Sequence, residues 1–159
     1  MAELTQKELN ERIAILKRFR ELLEQQRTKF REYLTVLEKQ QNSIVEEDAA
    51  SLLSHTELEQ QVVANIVSLQ KVIVPVDSMY KTIRKASSVS VDSSIAVLQD
   101  DLSDLQKKVL VQNARNRSLL KAHITQIRSQ LNALRNPYAG KTSIYAEKKA
   151  VGSLVEIEV

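Results

Sequence analysis

Leu9, Leu16, Leu23, Phe30, Leu37 and Ile44 fall at strict seven-residue intervals, so one heptad position stays apolar through six repeats. A row of that period keeps to one helix face only when a long partner winds against it. The pattern therefore predicts a helix over about residues 5–46 in left-handed, nearly antiparallel packing. Its neighbouring rows are mixed, with Ile13 and Leu34 on one side, Phe19 and Tyr33 on the other, and Arg20, Gln26, Arg27 and Gln40 interspersed. The stretch opens on Thr-Gln-Lys-Glu, where Thr5 can cap the helix and Glu8 can reach back to it. Such a helix is about 60 Å long.

Asp48 offers an N-cap for a second helix over residues 49–86. Val62, Ile66, Leu69, Ile73, Val76, Tyr80 and Ile83 alternate steps of four and three, which places all seven on one face. Pro75 lies inside this stripe without shifting its phase, so a kink or a short break with Pro75 restarting the helix is expected near that position. Lys-Ala-Ser-Ser-Val-Ser-Val-Asp-Ser-Ser is the poorest helix-forming segment and reads as a linker, after which Asp92 or Ser93 caps a third helix over residues 92–135. There Ile95, Leu98, Leu102, Leu105 and Val109 continue in phase to Asn113, Asn116 and Leu120, then to Ile124, Ile127, Leu131 and Leu134. Asn136 before Pro137, with Gly140 beyond, ends it. Residues 136–159 carry no helical period. Ser-Leu-Val-Glu-Ile-Glu-Val alternates like a strand but has no partner strand, so a flexible C-terminal tail is expected.

Composition sharpens this to an all-α class. The 159 residues include two Gly, two Pro, two Phe and no Trp, and both glycines lie beyond residue 139. Sheet proteins can rarely form their turns on such a supply. The absence of Cys excludes disulfides, thiol catalysis and zinc–thiolate sites. The first residues hold no apolar leader core and no run of eighteen apolar residues occurs, so a cytoplasmic protein without stable membrane insertion is expected. The 23 basic and 20 acidic residues give +3 but are finely interspersed, which describes solvated helix faces and not a nucleic-acid surface.

The search for chemistry finds little. His55 and Glu59 stand four apart, but two ligands without a third make no metal site, and a solvated helical surface is the simpler reading. His123 flanks the stripe at Ile124, and the Glu-x-x-His pairs of bundle di-metal sites do not occur. A phosphate loop needs glycines that are missing, and the Asn-Arg-Ser sequon at Asn116 falls within a helix. No enzyme activity, metal or cofactor is expected. Two features stay open. Asn113 and Asn116 interrupt the apolar stripe, either as buried amides that fix helix register or as the edge of a surface kept for another helix. Tyr138 and Tyr145 lie outside any apolar period, together with Leu154, Val155, Ile157 and Val159, and are either an idle end or a docking segment.

Two stretches resemble the FlgN-type flagellar export chaperones. Leu37–Lys71, from "LEKQQNSIVEEDAASLL" to "VSLQK", is similar to that family's helix–acidic turn–helix region. "NARNRSLLKAHITQIRSQLNAL" followed by "TSIYAEKK" resembles its N-x-x-N-x-x-L-L helix and the tyrosine segment beyond. One departure stands out: the family's tyrosine is often followed by Y-G-x-x-G, whereas here the run is Tyr145-Ala146-Glu147-Lys148, and Tyr138-Ala139-Gly140 competes for the equivalence. The resemblance implies an ATP-independent chaperone that binds hook-associated proteins through their C-terminal helical region. It would prevent their premature assembly and deliver them to the cytoplasmic domain of the type III export gate. On that reading Asn113, Asn116, Leu119, Leu120, Ile124, Ile127, Leu131 and Leu134 contact cargo, and Tyr145 first or Tyr138 second docks on the gate.

The expected architecture is thus an antiparallel coiled-coil bundle of three long helices over residues 1–135, with a flexible tail over 136–159. The expected function is export chaperoning, with homodimerisation left open. A coiled-coil scaffold or adaptor without a chaperone role is the alternative.

Overall fold

The structure, a computed structural model, describes residues 5–86 and 93–135. Three helices run α1 Gln6–Val45, α2 Ala49–Ala86 and α3 Ser93–Arg135, and no strand occurs among the described residues. The chain is an all-α coiled-coil bundle. It divides into two compact units, Met1–Leu120 and Lys121–Val159. The proposed linker residues 87–92, including Asp92, and the expected tail with its strand-like end lie outside the described residues.

The helix ends follow from their local chemistry. Thr5 sits at φ −65° and ψ 153°; its hydroxyl accepts from the Glu8 amide at 3.2 Å while the Glu8 carboxylate accepts from the Thr5 amide at 2.9 Å. That backbone hydrogen bond, followed by the Thr5 hydroxyl, holds the Glu8 carboxyl below its ordinary pKa. At the other end of α1 the Asp48 amide donates to the Ser43 carbonyl at 2.9 Å and the Glu47 amide to the Ile44 carbonyl at 3.2 Å. These two bonds satisfy carbonyls that the helix end would leave orphaned, and they require a left-handed residue between them. Glu47 takes that conformation at φ 57°, where glycine is the residue without a Cβ penalty. Asp48 then caps α2, accepting from the Ser51 amide at 3.1 Å and the Ser51 hydroxyl at 2.6 Å. The turn between α1 and α2 is therefore only Glu46–Asp48 long, which forces the two helices into an antiparallel hairpin.

Pro75 neither ends nor restarts α2, which continues as one helix through it. Proline lacks an N–H, so the Lys71 carbonyl one turn earlier loses its helical donor there. The α2 stripe is the side turned to the core: Val62, Ile73 and Tyr80 are buried, and Ile66, Leu69, Val76 and Ile83 are half-buried. By length and composition alone α2 could also cross a membrane, since one eighteen-residue window reaches a mean hydropathy of 1.3. Its stripe packs instead against Phe19, Leu22 and Leu23 of α1.

The first unit closes around α1. Phe19, Leu22 and Leu23 form one cluster with Ile73 and Tyr80 of α2 and with Ile95, Leu98 and Leu102 of α3. The Phe19 and Tyr80 rings lie 4.8 Å apart in a tilted pair, a geometry that contributes about 0.5–1.5 kcal/mol beyond burial. Because α1 touches both other helices, its buried face is wider than a single heptad row: Leu22 and Val36 are buried beside Leu23 and Leu37. At its start the heptad row is unused, and Leu9 and Ile13 are exposed. Side chains set the register. Gln26 meets Ile66 and Gln70, and Tyr33 meets Glu59, so α1 and α2 run antiparallel. Arg27 meets Asp101, Gln41 meets Gln112, and Leu37 meets Asn116, so α1 and α3 run parallel at a separation of 71 to 79 residues.

Candidate binding groove

A run of amides crosses the first unit where apolar residues would ordinarily meet. Asn116, 5% exposed, donates to the Leu37 carbonyl at 2.7 Å and to Gln40 Oε1 at 3.4 Å, and accepts from Gln112 Nε2 at 2.9 Å. Gln112 also donates to Gln41 Oε1 at 2.6 Å. Gln40, itself buried, passes the chain on by donating to Glu59 Oε2 at 2.7 Å, and the Tyr33 hydroxyl donates to Glu59 Oε1 at 3.1 Å. One connected chain of hydrogen bonds thus joins all three helices. Buried amides are tolerated when their partners are supplied in this way, and they penalise any other register.

Beside this chain lies a groove of about 650 Å³. Its floor is Tyr33, Gln40 and Ile44 of α1; its walls include Leu52, Glu59 and Val63 of α2 and Asn113, Arg117 and Leu120 of α3. The lining is mixed: Ile44, Leu52, Val63, Ala64 and Leu120 are apolar, and the remaining side chains are polar or charged. Tyr33 has its hydroxyl pKa pushed up to about 12, first by burial and then by the Glu59 carboxylate it bonds; the Arg117 charge opposes the shift. Among the described residues no three His, Cys, Asp or Glu side chains gather to hold a metal.

The sequence-predicted positions separate on this geometry. In the first unit Asn116 is buried in the hydrogen-bonded chain, Asn113 is half-buried on the groove wall, Leu119 is half-buried, and Leu120 is 39% exposed at the groove. In the second unit Ile124, Ile127, Leu131 and Leu134 are exposed, at steps of three, four and three along α3. Tyr138 and Tyr145 lie outside the described residues. The seam itself departs from the expected stripe: after Val109 it passes through Gln112, which is buried, and not through Asn113. Glu59, read from sequence as part of a solvated surface, sits in the groove under Tyr33 and Gln40. Its single sequence signal was the pair of polar flank positions Tyr33 and Gln40 beside the α1 heptad row.

A helical bundle whose first unit carries a buried polar chain beside an open groove sets the class of fold. The comparisons with known proteins narrow that class. Residues 15–151 match the FlgN protein family. An uncharacterised protein of Treponema pallidum (strain Nichols) is 38% identical over 134 residues, covering 84% of each chain. No solved structure matches significantly. The chain belongs to the FlgN family, and it is a flagellar export chaperone of the all-α, coiled-coil kind.

Proposed function

We propose that this protein binds hook-associated proteins in the bacterial cytoplasm, covers a C-terminal amphipathic helix of its cargo, and delivers it to the flagellar type III export gate without ATP. The observation that carries this reading is the exposure of four large aliphatic residues, Ile124, Ile127, Leu131 and Leu134, on one face of a helix. Soluble helices seldom leave so regular an apolar row uncovered unless another surface meets it. A cargo helix with an apolar face would self-associate before assembly, and a chaperone surface of matching period suppresses that. Release at the gate requires moderate affinity, which suits an open row and groove better than a sealed core.

The cargo contacts we assign are Asn113 and Leu120 at the groove, Leu119 of the same unit, and Ile124, Ile127, Leu131 and Leu134 of the second unit, with Asn116 holding α3 in the first unit. Tyr145, with Tyr138 second, is the gate contact, and neither role requires a metal or cofactor. The experiment is secretion from a strain lacking the chaperone, complemented with Ile127→Asp/Leu131→Asp. Both residues are exposed, so the variant should fold as the parent does while secretion of hook-associated proteins falls. Normal secretion by this variant would remove the assignment. A Tyr138→Ala/Tyr145→Ala double variant should retain cargo binding and lose secretion.

A further inference from the structure

The groove in the first unit carries one carboxylate and one guanidinium, and among the described residues neither has an ionic partner. Glu59 on the α2 wall accepts only from the neutral donors Tyr33 and Gln40, one to each oxygen, although each oxygen can accept twice. Arg117, exposed on α3, lines the same groove, and its charge acts on the Tyr33 hydroxyl. Glu59 is half-buried in a groove that Ile44, Leu52 and Val63 also line. Its geometry is fixed at both oxygens. That arrangement prepares the charge for a partner which arrives from outside.

The occupant can be specified by shape and charge. The groove residues of α2 run from Leu52 to Ala64, about 18 Å of helix, which matches roughly three turns of a helix laid along it. We propose that Glu59 and Arg117 are specificity-determining residues for an amphipathic helix of a partner protein. That helix covers Leu52, Val63 and Leu120 with its apolar stripe, sets a Lys or Arg against Glu59 on one flank, and sets an Asp or Glu against Arg117 on the other. Charges of opposite sign on opposing walls fix the rotation and direction of the incoming helix, which an apolar groove alone does not. This deepens the chaperone reading and depends on it for the identity of the partner.

The test is isothermal titration calorimetry of the full chain against a purified full-length hook-associated protein of the same bacterium, in low and in raised salt. Glu59→Gln keeps the shape and an acceptor for Tyr33 but turns a donor toward Gln40, and Arg117→Gln removes one exposed charge, so both variants should keep the parent helicity, with a lower melting temperature for Glu59→Gln alone. Each should weaken binding about fivefold or more in low salt, and the difference from the parent should shrink as salt screens it. Equal affinity of parent and both variants, with Ile127→Asp/Leu131→Asp still impaired, overturns the groove assignment and leaves the chaperone reading intact. No binding by the parent overturns both. If the variants instead change self-association in analytical ultracentrifugation and leave cargo affinity unchanged, the occupant is a second copy and the proposal is wrong.

Discussion

Replacing Asn116 by Ala removes the central link of the hydrogen-bonded chain across the first unit. Asn116 gives up a 2.7 Å bond to the Leu37 carbonyl, a weaker 3.4 Å bond to Gln40, and a 2.9 Å bond from Gln112. The loss is not uniform. The Leu37 carbonyl keeps its place in the α1 ladder, and Gln112 keeps Gln41, but Gln40 Oε1 is left buried with no donor. Two good bonds at about 1 kcal/mol each, plus part of the cost of an orphaned acceptor and a small void, give about 2–3 kcal/mol of destabilisation. For a bundle of this size that lowers the melting temperature by about 5–10 °C. Urea unfolding followed by far-ultraviolet circular dichroism reads the effect as a lower midpoint at unchanged slope. Asn113→Ala is the internal control: the side chain is half-buried on the groove wall, and the change should stay within about 0.5 kcal/mol. Equal effects of the two substitutions, or a cost below about 0.5 kcal/mol for Asn116→Ala, would refute the reasoning.

Other expectations follow from the turn and the groove. Glu47→Gly should be more stable than Glu47→Ala by about 0.5–1 kcal/mol, because both lose the same side chain while only glycine removes the Cβ penalty at φ 57°; equal urea midpoints for the two variants would count against the strain argument. Tyr33 favours its neutral form in the folded chain, with its pKa raised from 10.0 to about 12. Its contribution to stability is therefore complete below pH 10 and is lost as the pH rises from 10 through about 12. An absorbance titration of phenolate formation should show a late-titrating component that Tyr33→Phe removes.

Much of the bundle was legible because long helices repeat one simple rule many times. The α2 stripe from Val62 to Ile83, the capping box at Thr5 and the Asp48 cap each follow from local chemistry that no distant residue overrides. Two things were harder to read. After Val109 the seam could step by three to Gln112 or by four to Asn113; both steps keep helical phase and both residues are polar, so periodicity could not choose. The choice was made by Gln41 and Leu37 of α1, which are far away in sequence. Likewise Glu59 looked like surface because its partners Tyr33 and Gln40 are 26 and 19 residues distant. A polar site built across helices leaves no local period. Along α1 the heptad row was legible while its extra width at Leu22 and Val36 was not, since a single row cannot reveal that a helix has two partners.

The central claim is that an amphipathic cargo helix is received by this chaperone. Size-exclusion chromatography with light scattering on the full chain, mixed with a purified hook-associated protein, tests it most directly. The account predicts a discrete complex with the parent chain and markedly less complex with Ile127→Asp/Leu131→Asp at unchanged helicity. Two separate peaks with the parent, or the same complex from the parent and the double variant, would contradict it.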